Sequence, residues 1–178
     1  YGLVVGRIQS GKTAHMLGLS FRAIDTTLSH TKYPYDTVII LSGLLEDLRK
    51  QTFQRLINTG INNVKFLPEK NDFSENNAAV KKELVDSLDD DNPIILVIKK
   101  NHIVLEALIE YFTDEELVNQ LKERRVLIID DECDHASIDS THTETEEKAN
   151  QSEITATNRA VRGLIKSLNV SKLITWYI

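Results

Sequence analysis

Eight residues near the start of the chain have the types and spacing of a phosphate-binding loop. They match the pattern G-x-x-x-x-G-K-S/T in full and run Gly6-Arg7-Ile8-Gln9-Ser10-Gly11-Lys12-Thr13. Gly6 and Gly11 allow a tight turn that brings backbone N–H groups against phosphate oxygens. A helix that begins near Lys12 directs its positive end at the same oxygens. In this pattern the lysine contacts the β- and γ-phosphates and the Thr13 hydroxyl is a ligand of magnesium, so we predict a nucleotide and Mg²⁺ site.

A second cluster of chemically active side chains follows a run of branched apolar residues. Val126-Leu127-Ile128-Ile129 leads into Asp130-Asp131-Glu132-Cys133-Asp134. In nucleoside triphosphatases an Asp at the end of a buried strand holds magnesium, and a neighbouring Glu can take a proton from the attacking water. We assign Asp131 to the metal and Glu132 to the base, with Asp130 as the alternative metal residue if the register shifts by one. Cys133 and His135 are too few ligands for structural zinc.

The paired Asp and Glu favour hydrolysis of a triphosphate, and ATP is the expected one. A GTPase would carry an Asn-Lys-x-Asp motif for its base, and the sequence has none. A small-molecule kinase does not need a Glu beside its magnesium Asp, and no arginine-rich lid is recognisable. Lys12 and Glu132 are therefore the predicted catalytic residues.

The alternation of short β-branched runs with amphipathic stretches predicts the elements that position both clusters. The predicted strands are Gly2–Gly6, Thr37–Ser42, Val64–Leu67, Ile94–Lys99, Val126–Asp130 and Lys172–Tyr177. Helices are predicted near 12–28, 45–56, 78–88, 104–112 and 161–168, with a polar surface loop over 68–77 and a flexible polar loop near 138–152. Continuously apolar strands are typical of parallel sheets buried on both faces. We expect a three-layer α/β domain with a mostly parallel central sheet and right-handed crossovers.

Composition is that of one globular domain. The 178 residues are 41% hydrophobic and 27% charged. The net charge of −6 argues against a generally basic nucleic-acid-binding face, but it does not exclude a local groove that binds nucleic acid. No apolar run approaches the roughly 18 residues of a membrane span. The single cysteine rules out an internal disulfide, so we expect a cytoplasmic location. The chain begins and ends inside predicted strands, and we expect it to be a piece of a larger protein.

The two clusters together resemble a known family. Asp131-Glu132-Cys133-Asp134 is similar to the D-E-x-D box of superfamily-two helicases and translocases, and Gly6–Thr13 is similar to their motif I. More narrowly, Gly6–Thr13 and Asp130–Ser137 resemble the Z-one domain, a family of helicase-like ATPases, often labelled endonucleases, from bacterial restriction and phage-defence loci. Three further stretches are similar to its pattern: 39–43 with 48–52, 98–101 with Leu105, and Asn158-Arg159 with Arg162.

This resemblance implies that residues 1–178 are the first RecA-like lobe of a P-loop ATPase, with ATP and Mg²⁺ as cofactors. A second lobe, absent from this sequence, would complete the site. The resemblance also implies that single-stranded nucleic acid, expected to be DNA, meets the carboxyl edge of the strands at Ser42-Gly43 and Lys99-Lys100-Asn101. Gly43 allows close backbone approach, and the two lysines would neutralise phosphates. Alternatively, both lysines end a strand and cap the next helix in water.

Two other charged groups have simpler explanations. Arg159 and Arg162 lie one helical turn apart, and exposed helix charges explain them better than contacts to a partner lobe or DNA. Glu146-Glu147-Lys148 contains the letters of a nuclease E-x-K, but no strand precedes it, so we do not predict a nuclease centre there.

Two hypotheses of different class remain. The first is a motor-type ATPase lobe that acts in DNA processing. The second is a nucleotide-dependent switch that acts through protein partners without moving along DNA, which the acidic net charge favours slightly. Stimulation of ATPase activity by nucleic acid in the complete protein would distinguish them.

Overall fold

Twelve helices and strands are described in the computed structural model, which covers residues 2–3, 11–25, 35–69, 72–74, 77–89, 92–131, 148–168 and 172–177. The strands are β1 (Gly2–Leu3), β2 (Thr37–Ser42), β3 (Lys65–Leu67), β4 (Ile94–Lys99), β5 (Arg125–Asp130) and β6 (Lys172–Tyr177). The helices are α1 (Lys12–Ile24), α2 (Glu46–Ile57), α3 (Ala78–Leu88), α4 (His102–Thr113), α5 (Glu115–Leu121) and α6 (Lys148–Ser167).

The strands form one sheet in the order β1-β6-β5-β2-β4-β3. Every strand pairing among the described residues is parallel. The middle strands are buried along almost their whole length, as their continuous Val, Ile and Leu runs predict. Because all strands run in the same direction, their carboxyl ends lie along one edge of the sheet, which we call the carboxyl edge.

Alternate residues of each strand face opposite sides of the sheet and build two separate cores. On one side Val38, Ile40, Val97 and Ile129 pack with residues of α1 and α2. On the other side Ile39, Leu41, Ile98, Ile128 and their neighbours pack with α3, α4, α5 and α6. The molecule therefore has three layers, with helices on both faces of the parallel sheet, and the predicted α/β class is confirmed.

The crossovers follow one rule of handedness. Connections that move along the sheet from β1 towards β3 use α1 and α2 on one face. Connections that return from β3 towards β6 use α3 to α6 on the opposite face. A reversal of direction combined with a change of face leaves the hand unchanged, as the strong preference for right-handed crossovers requires. This arrangement is compatible with RecA-like and with Rossmann-like folds.

Local signals determine where two helices begin. The Asn77 side chain accepts a hydrogen bond from the Val80 N–H at the start of α3. The Asn101 side chain does the same for the Ile103 N–H at the start of α4. These caps satisfy N–H groups that the first helical turn leaves without partners. At the second site Asn101, rather than either lysine before it, caps the helix.

The predicted elements agree closely with the observed ones, and the differences have physical reasons. The prediction missed α5, a seven-residue helix whose buried apolar residues, Leu117 and Leu121, are too few to show a period. The segment 68–77 is not wholly a surface loop, because Phe73 is 1% exposed and belongs to the core. Helix α6 begins at Lys148, so the last five residues of the predicted loop 138–152 are helical.

Residues 138–147 of that predicted loop lie outside the described residues, as do residues 4–6 of the first predicted strand. Within the part of the chain that is described, every helix is too short or too polar to cross a lipid bilayer.

Candidate functional site

The carboxyl edge brings together strand ends that are far apart in the sequence. Across neighbouring strands, Leu3 pairs with Tyr177, Tyr177 with Asp130, and Asp130 with Leu41. These residues therefore lie at the same height in the sheet. One strand, β6, separates β1 from β5, which places them about 10 Å apart. Leu3, the last described residue before the predicted phosphate loop, thus lies level with Asp130 at the end of β5.

Helix α1 starts at the same edge. The Tyr35 N–H donates to the Ala23 carbonyl at 2.9 Å, so the end of α1 lies beside the approach to β2. Its 13 residues span about 20 Å, which is also the length of the six-residue β2. The start of α1, with the half-buried Lys12 and Thr13, therefore lies at the level where the strands end.

Gly11 has the backbone conformation for which the motif requires glycine. It precedes α1 with φ +81°, in the left-handed region, and its carbonyl accepts the His15 N–H at 3.0 Å. Any other residue would be strained at this position. The first turn of α1 contains no acidic side chain, so the helix does not itself neutralise its positive end. Such an end is suited to hold an anion.

Asp131 occupies a turn directly after β5. Its N–H donates to the Leu41 carbonyl at 3.0 Å, which extends the pairing of β5 with β2 by one residue. Its own carbonyl accepts a hydrogen bond from Lys100 Nζ at 2.6 Å. Asp131 is half-buried, so it lies at the surface of the carboxyl edge rather than beneath it.

Asp130 has a different environment. Its Oδ1 lies 2.9 Å from Lys100 Nζ, and both side chains have 0% exposure. A carboxylate that is enclosed and paired with an ammonium group cannot reach a metal at the surface. Of the two candidate metal residues, the geometry therefore favours Asp131 over Asp130.

This pair corrects the prediction made for Lys100. The sequence suggested that Lys99 and Lys100 either neutralise phosphates or extend into water. Lys99 is half-buried, but the Lys100 side chain is enclosed and contacts protein groups instead. The prediction failed because sequence alone does not show that Lys100 and Asp130, 30 residues apart, lie at the ends of the two strands that flank β2.

Ser42 and Gly43 of the predicted nucleic-acid edge also contact other parts of the protein. The Ser42 hydroxyl donates to the Ile98 carbonyl at 3.0 Å, and Ser42 is 1% exposed. The Lys100 N–H contacts the carbonyls of Ser42 at 3.1 Å and Gly43 at 3.4 Å. The ends of β2 and β4 are thus joined through main chain and side chain together.

A second polar network lies beside the end of β4. The Asp72 carboxylate accepts the N–H of Lys99 at 2.8 Å and that of Phe73 at 2.9 Å. Arg49 Nε lies 3.6 Å from it, and the Arg49 guanidinium also binds Glu46 at 2.8 Å. Burial raises the pKa of Asp72 to about 6, and these three donors offset only part of that effect. Sequence reasoning missed this group because Asp72 lies in a segment predicted to be an exposed loop.

The fold itself favours a ligand at this edge. The chain leaves β2 towards α2 on one face, whereas it leaves β4 and β5 towards α4 and α6 on the other. Where neighbouring strands send their connections to opposite faces of the sheet, a crevice opens at their carboxyl ends. Ligands of open α/β sheets bind in such crevices. The ends of β2, β4 and β5 are also where Ser42, Lys100 and Asp131 meet.

Several predicted site residues cannot be compared with this geometry. Gly6, Arg7, Ile8, Gln9 and Ser10 of the predicted loop lie outside the described residues. The predicted base Glu132 also lies outside them, as does the short stretch with Cys133 and His135. Among the residues that are described, no group of three or more His, Cys, Asp or Glu could hold a metal ion.

The oxygen donors of Thr13 and Asp131 suit Mg²⁺, which takes few protein ligands and completes its shell with water and phosphate. The exposed position of Arg159 and Arg162 on α6 agrees with the interpretation of these residues as surface charges.

Comparisons of the chain with protein-family models, with curated proteins and with solved structures found no match.

Proposed function

We propose that this chain is the ATP-binding and ATP-hydrolysing lobe of a helicase- or translocase-like ATPase with a RecA-like P-loop fold. One observation carries the proposal: β1 ends, α1 begins and Asp131 follows β5 at the same edge of a parallel sheet. The complete phosphate-loop pattern, Gly6–Thr13, follows β1 in the sequence and ends with the first two residues of α1. A triphosphate held there would lie at the edge where open α/β sheets bind their ligands.

The proposed chemistry is attack of water on the γ-phosphate of ATP. The water oxygen forms a bond to phosphorus while the bond to the oxygen between the β- and γ-phosphates breaks, and ADP leaves. Glu132 accepts the proton of the water, and the Lys12 ammonium balances the charge that spreads over the γ-phosphate oxygens. Thr13 and Asp131 would hold Mg²⁺, which neutralises phosphate charge when bound.

The resemblance to helicase-like ATPases of bacterial restriction and phage defence supports a role in DNA processing. In such a protein a second lobe of the same chain would close over the nucleotide. Conversion of hydrolysis into movement on DNA would require that lobe. Glu132→Gln in the complete protein is expected to leave ATP binding intact and to stop hydrolysis.

A titration of the 178-residue chain with a non-hydrolysable ATP analogue and Mg²⁺, followed by calorimetry, tests the nucleotide site directly. Lys12→Ala should weaken binding by about 10- to 100-fold, because a hydrogen bond to a charged group contributes about 1.5–3 kcal/mol. Lys50→Ala removes the same charge from an exposed position on α2 and is the matched control. Equal affinity of Lys12→Ala and Lys50→Ala would refute the assignment of the loop.

Two observations favour a second function, a nucleotide-dependent switch that acts on protein partners. Leu45 is 65% exposed after β2 and Ile103 is 54% exposed at the start of α4, so apolar side chains border the carboxyl edge. The enclosure of Lys100 also removes one of the two lysines expected to bind phosphates. ATPase activity of the complete protein with and without single-stranded DNA separates the two functions, because only the motor requires stimulation by DNA.

A further inference from the structure

We infer that Lys100 is a positioning residue of the proposed nucleotide site and that it orients the main chain of Asp131. The inference rests on the proposed function, because it assigns a task to Lys100 within that site. It starts from the contacts of one side chain: Lys100 Nζ lies 2.9 Å from Asp130 Oδ1 and 2.6 Å from the Asp131 carbonyl oxygen. Both charged side chains of the pair have 0% exposure.

The contact between Lys100 and the Asp131 carbonyl restricts the backbone conformation of Asp131. Its N–H belongs to the peptide unit before its Cα, and the Leu41 carbonyl holds that unit at 3.0 Å. Its carbonyl belongs to the peptide unit after its Cα, and Lys100 holds that one. Because peptide units are planar, fixing both of them restricts φ and ψ of Asp131. The position of its Cβ, from which the carboxylate extends, is then restricted too.

The same peptide unit leads to the proposed base. The carbonyl of Asp131 and the nitrogen of Glu132 share one planar group, as every pair of adjacent residues does. A side chain that holds this group therefore orients the link between the proposed metal residue and the proposed base. Groups that orient the ligands of a metal commonly change its affinity when they are removed.

Lys100 is itself held in place, as an orienting group must be. It follows β4 directly, and its N–H contacts the Ser42 and Gly43 carbonyls at 3.1 and 3.4 Å at the end of β2. Asp130, at the end of β5, accepts its ammonium group. Lys100 thus connects the ends of three neighbouring strands, β4, β2 and β5. Through its hydrogen bond to the Asp131 carbonyl, it also fixes the position of the turn relative to these strands.

Stability alone is a weak explanation for such a pair. Enclosed ion pairs lose much of their attraction to the loss of hydration, and apolar residues of similar volume often replace them without destabilising the protein. The ammonium group offers one feature that apolar residues lack, which is the hydrogen bond to the Asp131 carbonyl. A purely structural pair and a positioning residue therefore predict different behaviour when both charges are removed together.

The test compares variants of the 178-residue chain. Lys100→Met leaves the Asp130 carboxylate enclosed without the Lys100 ammonium group and is expected to lower the urea midpoint strongly. Lys100→Met combined with Asp130→Leu removes both charges and should restore the midpoint to the wild-type value. Lys100→Met with Asp130→Asn keeps the volume at position 130 and replaces the first double variant if that one does not fold. Lys81→Met breaks the half-exposed ion pair with Asp114, which does not involve the ends of β2, β4 or β5, and is the control.

Each variant is titrated by calorimetry with a non-hydrolysable ATP analogue, once with Mg²⁺ and once with EDTA. We expect the double variant to bind the analogue in EDTA as the wild type does, since the phosphate loop is unchanged. We expect the Mg²⁺ concentration that it needs for tight binding to rise by about 10- to 100-fold. Lys81→Met should keep the wild-type Mg²⁺ requirement.

The outcomes distinguish the two proposals. If the wild-type chain binds the analogue and the stable double variant keeps the wild-type Mg²⁺ requirement, Lys100 has only a structural role and the inference is wrong. If the wild-type chain does not bind the analogue with or without Mg²⁺, the proposed function is wrong and the positioning role falls with it.

Discussion

The carboxyl group of Asp72 should make the stability of the protein depend on pH in a direction opposite to that of most acidic residues. Burial raises the pKa of Asp72 from its ordinary value of 3.8 to about 6 in the folded protein. Between these two values the folded carboxyl retains its proton while the unfolded chain releases it. Its contribution to stability is therefore complete below pH 3.8 and is lost as the pH rises through about 6.

The size of the effect follows from the difference in pKa. The full difference corresponds to about 3 kcal/mol in the free energy of unfolding. Between about pH 4.5 and about pH 7, about 2 kcal/mol of it should be lost. Asp72→Asn has the same shape and does not titrate, so the wild type should lose about 2 kcal/mol more than the variant over this range.

Urea denaturation at the two pH values measures this difference for both proteins. The absolute stability of Asp72→Asn is not the test, because the variant also loses the contact between Asp72 and Arg49. The test is the change with pH, in which the other ionisable groups cancel between wild type and variant. Asp47→Asn removes the same charge from an exposed position on α2 and is the control. Parallel pH profiles for wild type and Asp72→Asn would refute the reasoning.

Two further predictions concern stability. Gly18→Ala should raise the free energy of unfolding by about 0.5–1 kcal/mol, because Gly18 is exposed in α1 and nothing lies within 4 Å of an added Cβ. Gly163→Ala should raise the free energy of unfolding by less than Gly18→Ala does, because its Cβ would lie 3.2 Å from Ile109 Cδ1. An increase in the urea midpoint as large as that of Gly18→Ala, or larger, would contradict this packing. Tyr111→Phe should lower the free energy of unfolding by about 1 kcal/mol, since the hydroxyl donates to the Ser74 carbonyl at 2.7 Å. An unchanged midpoint would show that this hydrogen bond has no net effect.

The periodicity of the sequence was sufficient to predict most elements. Thr37–Ser42, Ile94–Lys99 and Lys172–Tyr177 are strands with the predicted bounds, and Ala78–Leu88 is a helix with the predicted bounds. These signals are local, because a strand or a helix must present apolar residues at its own period to be buried. The short α5 was missed for the same reason, since two buried apolar residues do not establish a period.

The candidate site could be predicted only in part. The phosphate-loop pattern and the acidic turn are contiguous in sequence, so their chemistry could be inferred without knowledge of the fold. Their arrangement along one edge follows from the parallel direction of β1 and β5, which the apolar strands indicated. The strand order was not predictable in this way, and neither was the separation of β1 from β5 by β6.

The roles of Asp130, Lys100 and Asp72 were decided by the tertiary structure alone. In sequence, Lys100 and Asp130 are charged residues at the ends of strands, where solvent is the simplest environment. The pairing of β2 with both β4 and β5 brings them to 2.9 Å and encloses them. Likewise, Asp72 is enclosed because Phe73 beside it enters the core. The amino-acid pattern determines which residues form each element, because periodicity is local. Which charges meet depends on strand order and register, and these follow from contacts between residues distant in the sequence.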